Sequence, residues 1–226
     1  MLTYSSIFYY TASVQIFVTG LFVVNSLMHY RKVKEFASLL VYGVLSLVQC
    51  FIGTYISIYT QHDPKSDTII QNSINVFMLF EFLIFSQVII SSVRSRSIKR
   101  TLGMAVAVFL VTVLYCWLFT AAFNKPPESL SVLESFLVII GCLLYYFEMF
   151  TSPPNIKLLQ HPRFWFITGM LLLFAFLLPL FLQGNNDLLN FTDLFNAVYM
   201  MNLIGYTILF IFFTIGMRCQ IRRSIS

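Results

Sequence analysis

Seven apolar stretches of about 20 residues dominate this chain, at about 6–28, 36–59, 68–91, 101–122, 130–150, 164–182 and 193–217. A bilayer core about 30 Å thick is crossed by roughly 20 residues of helix at 1.5 Å each. In hydrocarbon only closed hydrogen-bonding structures survive. The expectation is therefore an all-α fold, a single seven-helix transmembrane domain over residues 1–226. Composition agrees: 10% of residues are charged and 58% hydrophobic, where soluble domains carry about 25% charged residues. The first stretch has no charge before Ile7 and no small-residue cleavage pattern after it, so it reads as a retained helix and not as a signal peptide.

The connections read as turns: His62-Asp63-Pro64-Lys65, Asn124-Lys125-Pro126-Pro127, Ser152-Pro153-Pro154-Asn155 and Gly184-Asn185-Asn186-Asp187. Pro179 falls inside the sixth stretch, where a membrane helix tolerates it if neighbours satisfy the freed carbonyl. The basic residues are distributed very unevenly. Arg31, Lys32 and Lys34, then Arg94, Arg96, Lys99 and Arg100, then Lys157 and Arg163, and finally Arg218, Arg222 and Arg223 fall in alternate connections and the tail. That places 12 on one side against Lys65 and Lys125 on the other. Positive charge stays cytoplasmic, so the N-terminus is expected outside and the C-terminus inside. The net charge of +5 thus marks topology and contact with anionic headgroups of the lipid bilayer. No nucleic-acid partner is expected, because no reader motif accompanies the basic residues.

Ionisable groups within the hydrocarbon cost at least about 2.5–3.5 kcal/mol at mid-depth and usually face the bundle interior. Glu81, Glu134 and Glu148 qualify, and no Lys or Arg lies inside any span. Glu81 stands near the centre of helix 3, about 120° around the axis from Asn75. A helix polar on two faces is expected to be central. Helix 5 carries one stripe, Ser131, Glu134, Val138, Gly141, Tyr145 and Glu148, in steps of three or four, and Gly141 lets another helix approach. Helix 7 presents Tyr199, Asn202 and Tyr206 on one face, with Asp193 and Asn196 nearer its outer end. Helix 2 offers Ser46, Gln49 and Gly53, and helix 1 offers Gln15 and Asn25. The plain reading of the Asn, Gln and Tyr positions is interhelical hydrogen bonding. Glu148 lies close enough to the end of helix 5 to reach the interface, and the Phe164-Trp165-Phe166 run suits an interfacial belt.

Several classes are excluded by what is missing. Residues 193–217 contain no lysine for a retinal Schiff base, and Asn202-x-x-x-Tyr206 lacks the proline of G-protein-coupled receptors. Helices 1 and 2 contain no proline, unlike three-helix-repeat sugar transporters. His29, His62 and His161 are scattered, and there is no HExxH, GxSxG or phosphate loop. Cys50, Cys116, Cys142 and Cys219 form no CxxC pair. No metal site, cofactor or catalytic residue is expected on this pattern.

Three segments occur together: Asn75-x5-Glu81-Phe82; Leu130-Ser131-x-Leu133-Glu134-Ser135 running on to Tyr145-Tyr146-Phe147; and His161-Pro162-Arg163-Phe164-Trp165-Phe166. The combination resembles a family of seven-helix membrane proteins widespread in Bacteroidetes. In that family a mid-membrane Glu in helix 3 and a Pro-x-Phe-Trp start to helix 6 recur. The resemblance spans most of the chain, implies a bacterial inner membrane, singles out Glu81, Glu134 and Trp165, and implies no substrate. Some similar modules feed histidine kinases. This sequence ends at Ser226 without one, so a sensory role is expected to require a separate cytoplasmic signalling partner.

The leading expectation is a sensory or ligand-binding module for a small or lipidic molecule. The hypothesised site comprises Glu81, Asn75, Glu134, Tyr145, Glu148, Tyr199, Asn202 and Tyr206, between helices 3, 5 and 7. A proton-coupled transporter using Glu81 is second, and an intramembrane lipid-modifying enzyme third. The topology is testable by accessibility labelling. A reporter after Ser226 should be cytoplasmic and one within 184–190 external, and the reverse pattern overturns the orientation.

Overall fold

The computed structural model describes residues 4–33, 36–59, 64–119, 128–151, 158–183 and 191–223. Side chains within 4–9, 32–33, 53–59, 64–68, 70–71, 128, 180–183 and 191–200 fall outside that description. Seven long helices account for nearly all of it: α1 Tyr4–Met28, α2 Ala37–Tyr59, α3 Pro64–Ser92, α4 Arg96–Phe119, α5 Glu128–Thr151, α6 Pro162–Gln183 and α7 Phe191–Arg223. A helical turn, Tyr30–Val33, follows α1, and a 3-10 turn, Leu158–Gln160, precedes α6. No strand occurs among the described residues. The expected turns at 124–127, 152–155 and 184–187 lie outside the described residues, whereas Pro64 and Lys65 already belong to α3. Proline is well suited to that first helical position, because its missing N–H would have had no partner there.

Among the described residues six helices carry an apolar span long enough to cross a bilayer: Tyr10–Met28, Asn72–Ser92, Arg96–Phe119, Ser129–Thr151, Pro162–Pro179 and Met201–Arg223. In α2 the described apolar run, Ala37–Ile52, is shorter. The outside of the bundle is apolar as well. On α4, Met104, Val108, Val111, Tyr115 and Leu118 follow steps of three or four and are each more than half exposed. The opposite face buries Leu102, Phe109 and Val113. A water-soluble helix reverses this pattern, so the chain is a multi-pass helical membrane protein whose exterior suits lipid.

Neighbouring helices pack in a closed circuit, α1 on α2, α2 on α3, α3 on α4, α4 on α5, α5 on α6, α6 on α7, and α7 back on α1. Helix α3 also packs on α5 and α6. Half of its span is buried, against 17% for α4. This is the central position that its two polar faces require. The α5 stripe lies along α3: a Cβ on Gly141 would stand 3.1 Å from Ile89 Cγ2, so the glycine sets how closely the two helices approach. Pro179 sits within α6 without ending it.

The helices run beyond the apolar stretches that foretold them. Helix α4 starts at Arg96, where expectation placed it near 101, and α7 continues to Arg223, past 217. Apolar content marks lipid depth, whereas a helix continues until its end groups are capped.

Aromatic side chains fill the interior around α7. Phe22, Phe85, Phe210 and Phe213 pack ring to ring with centroids 5.4–6.2 Å apart. Phe166 is fully buried, edge-on to Phe36 at 4.8 Å and Phe213 at 5.7 Å. It belongs to the core and not to the interfacial belt expected of Phe164-Trp165-Phe166. Opposite its ring α7 has Gly216, where a Cβ would overlap the ring and stand 2.8 Å from Cδ1. Because that ring is enclosed, Gly216→Ala should cost about 1–3 kcal/mol by overpacking. Gly103→Ala, with no atom within 4 Å of its Cβ, should be neutral or gain up to about 1 kcal/mol in helix propensity. Equal melting temperatures for the two variants in detergent would refute the notch.

Candidate functional site

Near the middle of α3, the Glu81 carboxylate is 4% exposed and meets two phenols from two other helices. Tyr42 of α2 donates its hydroxyl to Oε1 at 2.6 Å. The Tyr206 hydroxyl of α7 lies 3.1 Å from Oε1 and 3.0 Å from Oε2, donating between them. Neither phenol is free to turn away. The Tyr42 ring stacks on Phe77 at 5.8 Å and Phe210 at 5.7 Å and tilts against Phe85 at 4.8 Å; Tyr206 sits edge-on to Phe77 at 6.3 Å. A hydrogen bond contributes about 0.5–1.5 kcal/mol between neutral groups and about 1.5–3 kcal/mol to a charged one. Two such bonds offset much of the insertion cost of a carboxyl group at this depth, about 2.5–3.5 kcal/mol when it is ionised. They also tie three helices to one atom group.

Glu134 of α5 is 3% exposed and close enough to interact electrostatically with Glu81, Tyr42 and Tyr206. Its Oε1 has no hydrogen-bond partner among the described residues. One turn towards the N-terminus of α5, the Ser131 hydroxyl lies 3.7 Å from Met78 Sδ. Asn75 is buried on α3, and Asn202 Oδ1 is buried without a hydrogen-bond partner among the described residues. Tyr199 belongs to α7, but its side chain lies outside the described residues.

The remaining expected site residues are elsewhere. Glu148 stands at the far end of α5, where its Oε2 accepts the Arg94 backbone N–H and its Oε1 that of Ser95, both at 2.5 Å. A carboxylate there satisfies orphan donors and complements the positive end of α4. Arg163 does the converse, donating from Nη1 to the Ser91 carbonyl at 3.1 Å at the end of α3. Tyr145 and His161 line the same polar cleft. The expected set thus divides in two, a mid-membrane group around Glu81 and a group at the basic end of the bundle. The helices meeting at Glu81 are α2, α3 and α7, with α5 alongside, in place of α3, α5 and α7 alone.

Tyr42 was not among the residues singled out from the sequence. A signal was present: Tyr42, Ser46, Gln49 and Gly53 fall at steps of four, three and four on one stripe of α2. Among the described residues no three His, Cys, Asp or Glu side chains gather as a metal site. Comparison of the chain with protein-family models, curated proteins and solved structures found no match to any of them.

Because both phenols share one acceptor, Tyr42→Phe and Tyr206→Phe should each cost about 1–3 kcal/mol, and the double variant more than their sum, since it leaves the carboxyl with neither phenol. Equilibrium unfolding in mixed micelles measures this. Strictly additive losses would show that the two hydroxyls do not act on a common group.

Proposed function

We propose that this chain crosses the cell membrane seven times, N-terminus outside and C-terminus in the cytoplasm. It works there as a sensory or ligand-binding module for a small or lipidic molecule, signalling through a separate cytoplasmic partner. The 12-to-2 asymmetry of basic residues supports the orientation. So does the gathering of the basic ends: the end of α3 bonds to α5 and to the start of α6, and α7 reaches the 3-10 turn through Cys219 Sγ to the Leu159 carbonyl at 3.6 Å. The similarity to Bacteroidetes seven-helix proteins remains part of this reading, and with it a bacterial inner membrane.

The observation that carries the sensory role is the Glu81 clamp. It holds α2 and α7 to the central helix through donors a ligand can compete for. A molecule offering hydrogen-bond donors to the carboxylate, or acceptors to the phenols, changes which helices are tied together. Helix α7 leads from Tyr206 to Arg222 and Arg223, giving that change a route to the cytoplasmic face. Two states differing in such contacts are what a ligand needs to shift an equilibrium.

The closeness of Glu134 to Glu81 favours a second reading, proton-coupled transport, since paired intramembrane carboxylates form proton relays. Proteoliposomes separate the two. Transport predicts substrate flux with co-movement of protons, lost in Glu81→Gln. Sensing predicts no flux but ligand-dependent thermal stabilisation, about 2.7 kcal/mol at a hundredfold excess over Kd, weakened in Glu81→Gln. A broad lipid and metabolite screen without a single stabilising ligand would refute the sensory role, and unchanged flux in Glu81→Gln would remove that residue from transport.

A further inference from the structure

The polar cleft at the basic end of the bundle is separate from Glu81 and has its own chemistry. Ser92, Arg94, Tyr145, Glu148, His161 and Arg163 line it, contributed by the ends of α3 and α5 and the beginning of α6. Its volume is about 70 Å³. A cavity needs roughly 10–15 Å³ on this measure to hold one water, so one phosphate group fits.

The charges around the cleft do not balance. Glu148 is its only acidic lining residue, and both carboxylate oxygens are engaged by the Arg94 and Ser95 backbone N–H groups. Arg163 uses one guanidinium nitrogen on the Ser91 carbonyl, leaving other donors of its five-N–H fork for an acceptor in the cleft. His161 has Nδ1 buried without a hydrogen-bond partner among the described residues. Burial first, and then the charges of Arg163, Arg223 and Arg94, hold this imidazole below its ordinary value of 6.5. Three cations thus act on one ring, and Arg94 and Arg163 also act on the Tyr145 hydroxyl. With two guanidinium groups against one carboxylate the cleft favours an anion, and arginine forks match phosphate oxygens in pairs.

We propose that this cleft binds an anionic phosphate group, with Arg163 and Arg94 as the charged anchors and Tyr145 and His161 as hydrogen-bonding walls. The group comes either from an anionic lipid headgroup or from a soluble phosphate. Bound there, it joins the α3–α4 turn to the start of α6. The proposal is independent of the function assigned to Glu81, because no residue is shared between the two sites.

Two probes distinguish the sources. Purified protein is given inorganic phosphate at constant ionic strength and followed by melting temperature. Separately, it is reconstituted with phosphatidylglycerol or with phosphatidylcholine alone, and retained lipid is counted by native mass spectrometry. Stabilisation by phosphate beyond that by chloride identifies a soluble ligand. Selective retention of phosphatidylglycerol identifies a headgroup. In either case Arg163→Gln should weaken binding about tenfold or more, the loss of one charge-assisted hydrogen bond. Arg100→Gln, exposed on α4, should leave it unchanged. Since Arg163 also caps α3, Tyr145→Phe provides a milder variant that keeps every guanidinium and should still weaken binding. No response to either probe overturns the proposal. Equal losses in Arg163→Gln and Arg100→Gln overturn it too, because they denote a diffuse basic surface with no built site.

Discussion

Inside a bilayer a polar group has no solvent to fall back on, so a buried acceptor is costly unless the protein supplies a donor. Glu81 meets that demand with donors from α2 and α7, and this one arrangement organises the middle of the bundle. It fixes the rotation of α3, because the carboxylate must point where both phenols can reach. It also fixes α2 and α7 on the same side of α3. The phenyl rings of Phe77, Phe85 and Phe210 then hold Tyr42 in place. Glu134 enters the same electrostatic neighbourhood from α5, and the stripe that carries it lies along the central helix.

The basic end follows a complementary logic. Helix termini leave four unmatched groups each, and four helix ends crowd together here. Glu148 supplies negative charge to the beginning of α4, and Arg163 supplies positive charge to the end of α3. Each side chain sits where the helix dipole favours its sign. The α3–α4 turn is therefore held by α5 on one side and α6 on the other. The cleft between them is what remains after these caps are in place, and its lining holds two guanidinium groups against one carboxylate.

Periodicity and polarity made much of this legible. Seven apolar stretches became seven helices, and a carboxylate in hydrocarbon drew attention to Glu81 before any contact was known. The α5 stripe with Gly141 at its middle indicated a close helix approach, and the helix that approaches there is α3. Tyr42 escaped because tyrosine in an apolar run looks like ordinary packing until its hydroxyl partner is found. Glu148 and Tyr145 sit on the same stripe as Glu134, yet they serve the basic end. A stripe records direction around the axis, and only distance along it separates the two groups. Phe166 was misplaced for a related reason. Interfacial aromatics and buried ones have the same composition, and the opposing Gly216 lies fifty residues away in sequence.

The length of α7 has a mechanical consequence. From Tyr206 to Arg222 it is unbroken helix, about 24 Å at 1.5 Å per residue. It is seated against α6 by Gly169, Gly205 and Gly216, each of which brings an α6 or α7 neighbour within 3.0 Å of where a Cβ would lie. Such close seating resists sliding, so a displacement of α7 would carry α6 with it. A tilt of about 5° pivoting at Tyr206 swings the arginine end through roughly 2 Å over that length. A small shift where the Tyr206 hydroxyl meets Glu81 would therefore be larger at the basic end of the same helix.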